Sequence, residues 1–353
     1  MKSYVGLVFV VAAAWATGVL YALQPPASRS PVRDYLRSVT VEAPARYRNL
    51  SIYPVCSSRP SRPELLSLDE AVRNHDLIVR EIGEGEVNTL SVENVGKLPV
   101  YIMAGEILEG AKQTRVLQSD VLVPPHSGRL DIGAFCVEHG RWSYQSEDKT
   151  FHSDSYMSNP AVRAKAAESR DQGAVWAEVD ETHRRLQVPE QTGALTEAYR
   201  APQIQEDVGP YVRALGELPE ENPHMVGAVV MVGDRLLCAD AFGPRSLTTA
   251  LWPKLIRSYA LEAVAQPDND EKSGDGRAAA QALLERASEA GLEKESTPGL
   301  GLLEDITGRS VTGSVLVYQQ WPLHVALFPH ESYGRPQRPE EDSVPAIQRS
   351  YPR

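Results

Sequence analysis

The chain has 353 residues, 42 % of them hydrophobic, enough for one large or two ordinary domains with real cores, so disorder is not the default. A formal net charge of −11 and a pI near 5.3 exclude a general nucleic-acid partner, because affinity for phosphate backbones comes chiefly from Lys and Arg and no basic block stands out. Cys56, Cys136 and Cys238 lie far apart with no CxxC, which supports neither a disulfide framework nor a cysteine zinc site.

No charged residue lies between Lys2 and Arg29, and the apolar run YVGLVFVVAAAWATGVLYAL matches the roughly 20 residues a membrane helix needs. Residues 1–28 are therefore expected to be a signal peptide or a membrane anchor, and the protein exported, periplasmic or membrane-anchored. Ala16-Thr17-Gly18 and Leu20-Tyr21-Ala22 offer small residues for cleavage, while Lys2 on one side and Arg29, Arg33 and Arg37 on the other leave the orientation open. Residues 29–46, rich in Pro, Ser and Arg, read as a linker.

A β-rich unit is expected over residues 47–157. It opens with a strand at 50–55 and a short helix at 69–74 with Asp69 near its cap, then a strand at 77–82. Further strands follow at 87–92, 100–104, 116–123 and 130–138, a spacing that suggests an antiparallel sandwich or barrel. Residues 158–222 form a helical region in which Ala161, Val162, Ala166, Val175, Val179 and Leu186 share one face, interrupted near Gly173. An α+β unit occupies 223–330: strands at 225–232 and 235–241 flank the hairpin signal Gly233-Asp234, and Ser246 is placed to cap a helix reaching residue 265. After an acidic linker around Gly274 come a helix at 278–290 and strands at 314–319 and 323–328, and the Pro-rich tail at 331–353 reads as flexible. The fold class is α+β: a β-rich sandwich- or barrel-like unit with a helical insertion and a smaller hairpin-plus-helix unit.

The densest chemistry lies between Leu98 and Trp142, where charges and a thiol sit at the ends of apolar strands and must be paired, solvated or used. Glu106, Glu109, Lys112, Gln113 and Arg115 crowd one glycine-bounded turn. A helical turn would put Glu106, Glu109, Lys112 and Gln113 on one polar face; a tight loop between Gly105 and Gly110 would offer backbone N–H groups to an anion, with Lys112 and Arg115 adding charge. A self-paired surface turn is the third possibility.

In the next strand, alternation puts Ile132, Ala134, Cys136 and Glu138 on one face, so Glu138 ends an apolar row. Its carboxylate needs Arg141, Arg115 or Lys112 nearby, or else a raised pKa that would suit general acid catalysis. Glu106 and Glu138 are thus the candidate catalytic residues, with Glu109, Lys112, Gln113, Arg115, Cys136, Arg141 and Trp142 as candidate ligand contacts. Trp142 is placed to stack a base or sugar or simply to pack. The short connection through Pro124-Pro125 and Ser127-Gly128 should make the two strands neighbours and bring both clusters together. No metal ligand set is identified: the eight histidines show no metal-ligand spacing, HExxH is absent, and so are GxSxG, Walker and GxGxxG motifs.

The pieces Tyr47-Arg48-Asn49-Leu50, GEILEGAKQTRVLQSDVLVPPHS, CVEHGRW, the VGAVVMVG hairpin with Trp252-Pro253-Lys254-Leu255 after it, and the terminal LHVALF strand together resemble the ADP-ribosylglycohydrolase- and rhodanese-phosphatase-associated protein family. The resemblance runs from about Tyr47 to Phe328, its GAKQxR and CVExGRW segments are specific, and the chain departs from it at Thr114, where the family usually has Asn. It implies a link to ADP-ribose or NAD-derived metabolites and no established activity or cofactor. The expected function is a binding or hydrolytic site for a small anionic metabolite; the competing class is a noncatalytic envelope module whose Glu/Arg cluster is a structural network.

Overall fold

The computed structural model describes residues 30–58, 63–83, 86, 88–141, 149–266 and 276–330. The signal or anchor expected at 1–28, the tail at 331–353, most of the acidic linker around Gly274, and Trp142 lie outside the described residues. Among the described residues no helix is long and apolar enough to cross a membrane.

Pro31 opens α1 (Pro31–Ser38), whose Val32, Tyr35 and Leu36 are buried, so the stretch expected as a linker carries a packed helix. Its Pro start and i, i+3, i+4 apolar spacing give the physical reason. Short strands β1 (Thr40–Val41) and β2 (Ala45–Tyr47) precede β3 (Leu50–Cys56), and β4 (Leu66–Ser67) leads into α2 (Leu68–Arg73). Ser67 and Glu70 form a reciprocal capping box there, so Asp69 is not needed as the cap. Next come β5 (Leu77–Glu81), β6 (Thr89–Asn94), β7 (Val100–Ile102), β8 (Glu106–Gly110), β9 (Arg115–Leu117), β10 (Val121–Val123), β11 (Arg129–Cys136) and β12 (Thr150–Met157).

Six of these close into a barrel in the order β11-β6-β5-β12-β8-β9, while β10, β7 and β4 form a small separate sheet. The inward residues of alternating strands, among them Val79, Leu90, Val92, Leu108, Ile132 and Phe151, fill the barrel as a core. The single strand expected at 116–123 is in fact β9 and β10, which belong to different sheets. The break between them leaves Asp120 free to accept the Ala104 N–H at 2.8 Å.

The helical region contains α3 (Pro160–Ser169), α4 (Gln172–Leu186), α5 (Leu195–Arg200), α6 (Pro202–Leu215) and α7 (Leu218–Glu221). The interruption expected near Gly173 falls at Arg170, left-handed with φ 49°, after which Asp171 caps α4 through the Ala174 N–H. The last segment holds β13 (Met225–Val232), β14 (Arg235–Phe242), α8 (Arg245–Val264), α9 (Arg277–Glu289), β15 (Gly291–Glu295), β16 (Leu302–Thr307), β17 (Val311–Tyr318) and β18 (Trp321–Pro329). Pro244 rather than Ser246 stands at the N-cap of α8. The Gly233-Asp234 hairpin forms as expected, with Gly233 at φ 56° and Val232 paired to Arg235.

These strands assemble as β1-β3-β13-β14-β18-β17-β16-β15, with β2 alongside β3. All eight residues of β13 are buried because helices cover both faces. Val230 and Val232 face a core shared with α6 and α8, while Val229 and Met231 face one shared with α1 and α9. That is why this segment reads as a continuous apolar run instead of an alternating one.

Candidate functional site

Neither a helix nor an anion-cradling loop forms at the first cluster. Glu106 to Gly110 is strand, and residues 111–114 make the turn into β9, with Ala111 left-handed at φ 41°. The turn does meet the second cluster. The Thr114 backbone N–H and hydroxyl both donate to Glu138 Oε2, at 2.8 and 2.9 Å, and Gln113 Nε2 donates to the Glu138 carbonyl at 2.8 Å. Arg141 grips the same carboxylate through Nε to Oε1 at 2.8 Å and Nη2 to Oε2 at 2.6 Å, and the Thr192 hydroxyl completes it at 2.9 Å. An Asn at position 114 carries a side-chain N–H that could donate in the same way, so Thr114 preserves the contact.

Burial alone would raise the Glu138 pKa, but the hydrogen bonds from Arg141 and Thr114 outweigh it and hold the carboxyl below its ordinary range. That is the opposite of the direction a general acid at this position needs. Cys136 lies fully buried beside it, its thiol pushed up by burial, with Sγ 3.1 Å from Gln113 Oε1. Arg115 is fully buried as well. Its Nη1 donates to Gln113 Oε1 at 2.9 Å, and its Nη2 faces Glu81 at 3.7 Å, instead of the expected Glu138 or Glu106. Lys112 contributes its backbone N–H to Glu81 at 3.4 Å.

Glu106 sits at the other end of β8 and serves a different group. Its Oε2 accepts the Met103 N–H at 2.9 Å, and its Oε1 accepts from Lys254 of α8 at 2.9 Å. The Lys254 ammonium spends its remaining two N–H bonds on Asp69 Oδ1 at 2.7 Å and Ser153 Oγ at 2.9 Å. Burial disfavours that ammonium, but Glu106 and Asp69 outweigh the effect and raise its pKa, so Lys254 is a fixed cation. For Glu106, burial raises the pKa and Lys254 offsets only part of it.

This group floors a cleft of about 320 Å3 lined by Ser67, Asp69, Glu70, Arg73, Ser155 and Arg257 with parts of α8. The volume is at the low end of small-molecule sites, roughly 300–1,000 Å3. Asp69 keeps 32 % of its side chain exposed and uses only Oδ1 in hydrogen bonds. Arg257 makes one long contact, to the Ser155 carbonyl at 3.3 Å, and Arg73 is exposed at the rim.

Behind the floor a second charged chain runs through the core. His324 of β18 lies between Asp120 Oδ2, 2.8 Å from Nδ1, and Asp240 Oδ1, 3.0 Å from Nε2. Asp240 also receives Arg163 Nη1 at 3.0 Å and the Tyr259 hydroxyl at 2.6 Å. Arg163 holds the Asp240 carboxyl far below its ordinary range despite burial. The remaining expected contact, Glu109, is not among the residues lining the cleft and is bound by Arg200, which also reaches Asp154 at 2.9 Å. Burial and Glu109 together push Asp154 up to about 6.

Sequence reasoning thus identified Glu106 but not Lys254, Asp69, Ser153, Arg73 or Arg257. One signal was present for Lys254: it stands between the buried Trp252 and Leu255 in the middle of α8. A lysine in such a position must find carboxylates.

No curated protein and no solved structure matches the chain. Residues 38–328 match the family model described as the ARG and Rhodanese-Phosphatase-superfamily-associated Protein domain, a span that takes in the barrel, the large sheet, the cleft and the Glu138 network. The chain belongs to that family.

Proposed function

We propose that the cleft over Lys254 is a binding or hydrolytic site for a small anionic metabolite of the ADP-ribose or NAD type. The observation that carries this is the pairing of a rigid charged floor with two arginines at the mouth. Among the described residues Arg73 and Arg257 form no ion pair, while Lys254 beneath them is locked by Asp69, Glu106 and Ser153. Arginine presents a planar fork that matches phosphate, so the rim supplies the recognition. Lys254 has no N–H left to give and instead holds Asp69 in place. Asp69 retains one uncommitted oxygen, which, if the bound ligand is hydrolysed, accepts a proton from the water whose oxygen attacks; the bond to the leaving group breaks and that group departs with a proton from solvent. Glu106 acts as a positioning residue through Lys254. The uncharged apolar run before Arg29 supports an exported or membrane-tethered setting.

The second reading is a noncatalytic envelope-associated structural or interaction module. It is favoured by the Glu138 network, whose carboxylate is saturated by Arg141, Thr114 and Thr192.

Thermal melting with inorganic phosphate, ADP-ribose and NAD separates the two. A ligand at 100 times its Kd adds about 2.7 kcal/mol, a rise of roughly 4 °C for a protein of this size. The rise should vanish in Arg73→Ala and Arg257→Ala chains. If none of the three ligands shifts the wild type, the anion site is rejected and the structural module stands.

A further inference from the structure

We infer that His139, Asp180 and Glu190, with the buried His183 against Glu190, form a binding site for a divalent transition metal of the Zn2+ type, separate from the Lys254 cleft. The donor atoms of His139, Asp180 and Glu190 all lie within 4.8 Å of one another. They come from three segments: the turn after β11, the middle of α4, and the loop that follows α4.

His183 provides an independent observation. It is on α4 three residues after Asp180, so the two side chains share a face. Its side chain is fully buried and neither ring nitrogen has a hydrogen-bond partner, while Nδ1 faces Glu190 Oε1 at 3.6 Å. A buried imidazole left without a hydrogen bond costs free energy unless something else takes its lone pair. It is aimed at a carboxylate that already belongs to the cluster.

The three donors of the group lie near enough for one ion to gather them, with a position left for a further ligand. Zn–N and Zn–O bonds of about 2.0–2.2 Å place adjacent donors roughly 3.3–3.6 Å apart. His139 Nε2 lies 3.2 Å from Asp180 Oδ1, and His183 Nδ1 lies 3.6 Å from Glu190 Oε1. One imidazole and two carboxylates carry a charge of about −2 when the ring is neutral, which a dication balances. Imidazole in the set selects against Mg2+ and Ca2+, which take oxygen ligands.

The surroundings hold the donors in position before any metal arrives. Glu197 accepts the backbone N–H groups of Gln191 and Thr192, each at 2.9 Å, and so pins the loop that carries Glu190. The Gly140 N–H donates to the Thr192 carbonyl at 2.7 Å, drawing the His139 turn against that loop. Gly193 takes φ 67°, a conformation that favours glycine, and packs against the ring of His139, whose Nε2 would lie 2.6 Å from a Cβ at that position.

The test uses the full chain without an affinity tag, stripped with EDTA and titrated with Zn2+, Mg2+ and Ca2+ by calorimetry and melting. One Zn2+ per chain should bind and raise the melting temperature, with no effect of Mg2+ or Ca2+ at the same concentration. Co2+ substituted at the site should give the visible absorption of a tetrahedral nitrogen–oxygen set. His139→Ala and Asp180→Asn change side chains that are 40 % and 45 % exposed, so their metal-free melting should be unchanged while Zn2+ affinity falls at least tenfold. His183→Gln should behave likewise, but because it is buried its result counts only if metal-free melting is preserved; the two exposed variants decide. Less than one Zn2+ per wild-type chain, or unchanged affinity in the His139→Ala and Asp180→Asn chains, overturns the site. Neither result bears on anion binding at the cleft, which is read with phosphate and ADP-ribose.

Discussion

The His324 imidazolium should tie stability to pH across the neutral and mildly alkaline range. The ring is fully buried, which works against its charge, but Asp120 and Asp240 on either side outweigh burial and raise its pKa from 6.5 to about 9. In that window the native protein holds a proton that the unfolded chain has lost, so stability falls as pH rises, by about 1.4 kcal/mol per pH unit. The contribution is fully present below the unfolded value of 6.5 and gone above about 9, a loss of about 3 kcal/mol over the window. Urea unfolding at about pH 6 and about pH 9.5 measures it, comparing wild type with His324→Gln so that other titrations cancel. The variant leaves Asp120 and Asp240 without their shared cation and should lose about 3–5 kcal/mol at the lower pH. The gap between the two proteins should then narrow by about 3 kcal/mol at the higher pH. An equal gap at both pH values would refute the assignment of a charged His324. If the variant does not fold, the ring-proton NMR titration of the wild type decides, and a midpoint below pH 7 refutes it equally.

Three other outcomes are expected. Glu138→Gln replaces one acceptor of the Arg141 and Thr114 bonds with a donor and should cost about 2–3 kcal/mol in denaturant unfolding. Because the native Glu138 pKa is lowered, its contribution is present above the ordinary carboxylate range and lost as pH falls through the native value; acid unfolding of the variant should lack that component. Lys254→Met strands buried Glu106 without its cation and should destabilise the fold by about 3–5 kcal/mol, whereas Lys254→Met combined with Glu106→Gln should recover part of that loss. Cys56, Cys136 and Cys238 are free and buried, so a thiol assay under denaturing, non-reducing conditions should count three while the native protein reacts slowly; a count below three would show a disulfide.

Much of the fold was legible along the chain wherever one face of an element is buried and the other is wet. The alternation in β5 and the stripe on α4 follow from that asymmetry, and the Gly233-Asp234 turn follows from the positive φ a tight hairpin needs. Within the site the same logic found Glu138 as a carboxylate ending an apolar row, with Arg141 one of three candidate partners, whereas Glu106 was singled out in a glycine-bounded turn that the structure shows as strand. The α1 helix was missed because Pro, Ser and Arg content was read ahead of its spacing of Val32, Tyr35 and Leu36.

What local pattern could not supply was pairing between distant segments. Nothing in the sequence of β3 says that it lies beside β13, and nothing near Glu106 says that its cation comes from α8. Nothing in the sequence marks His139, Asp180 and Glu190 as neighbours, because two loops and a helix bring them together. Periodicity records only which side of an element is buried, so the sequence by itself determined the elements and the burial of their faces. Which charges meet depends on how those faces pack, since a buried ion is stable only where a partner from another segment arrives within a few ångströms, and only the tertiary structure decided that.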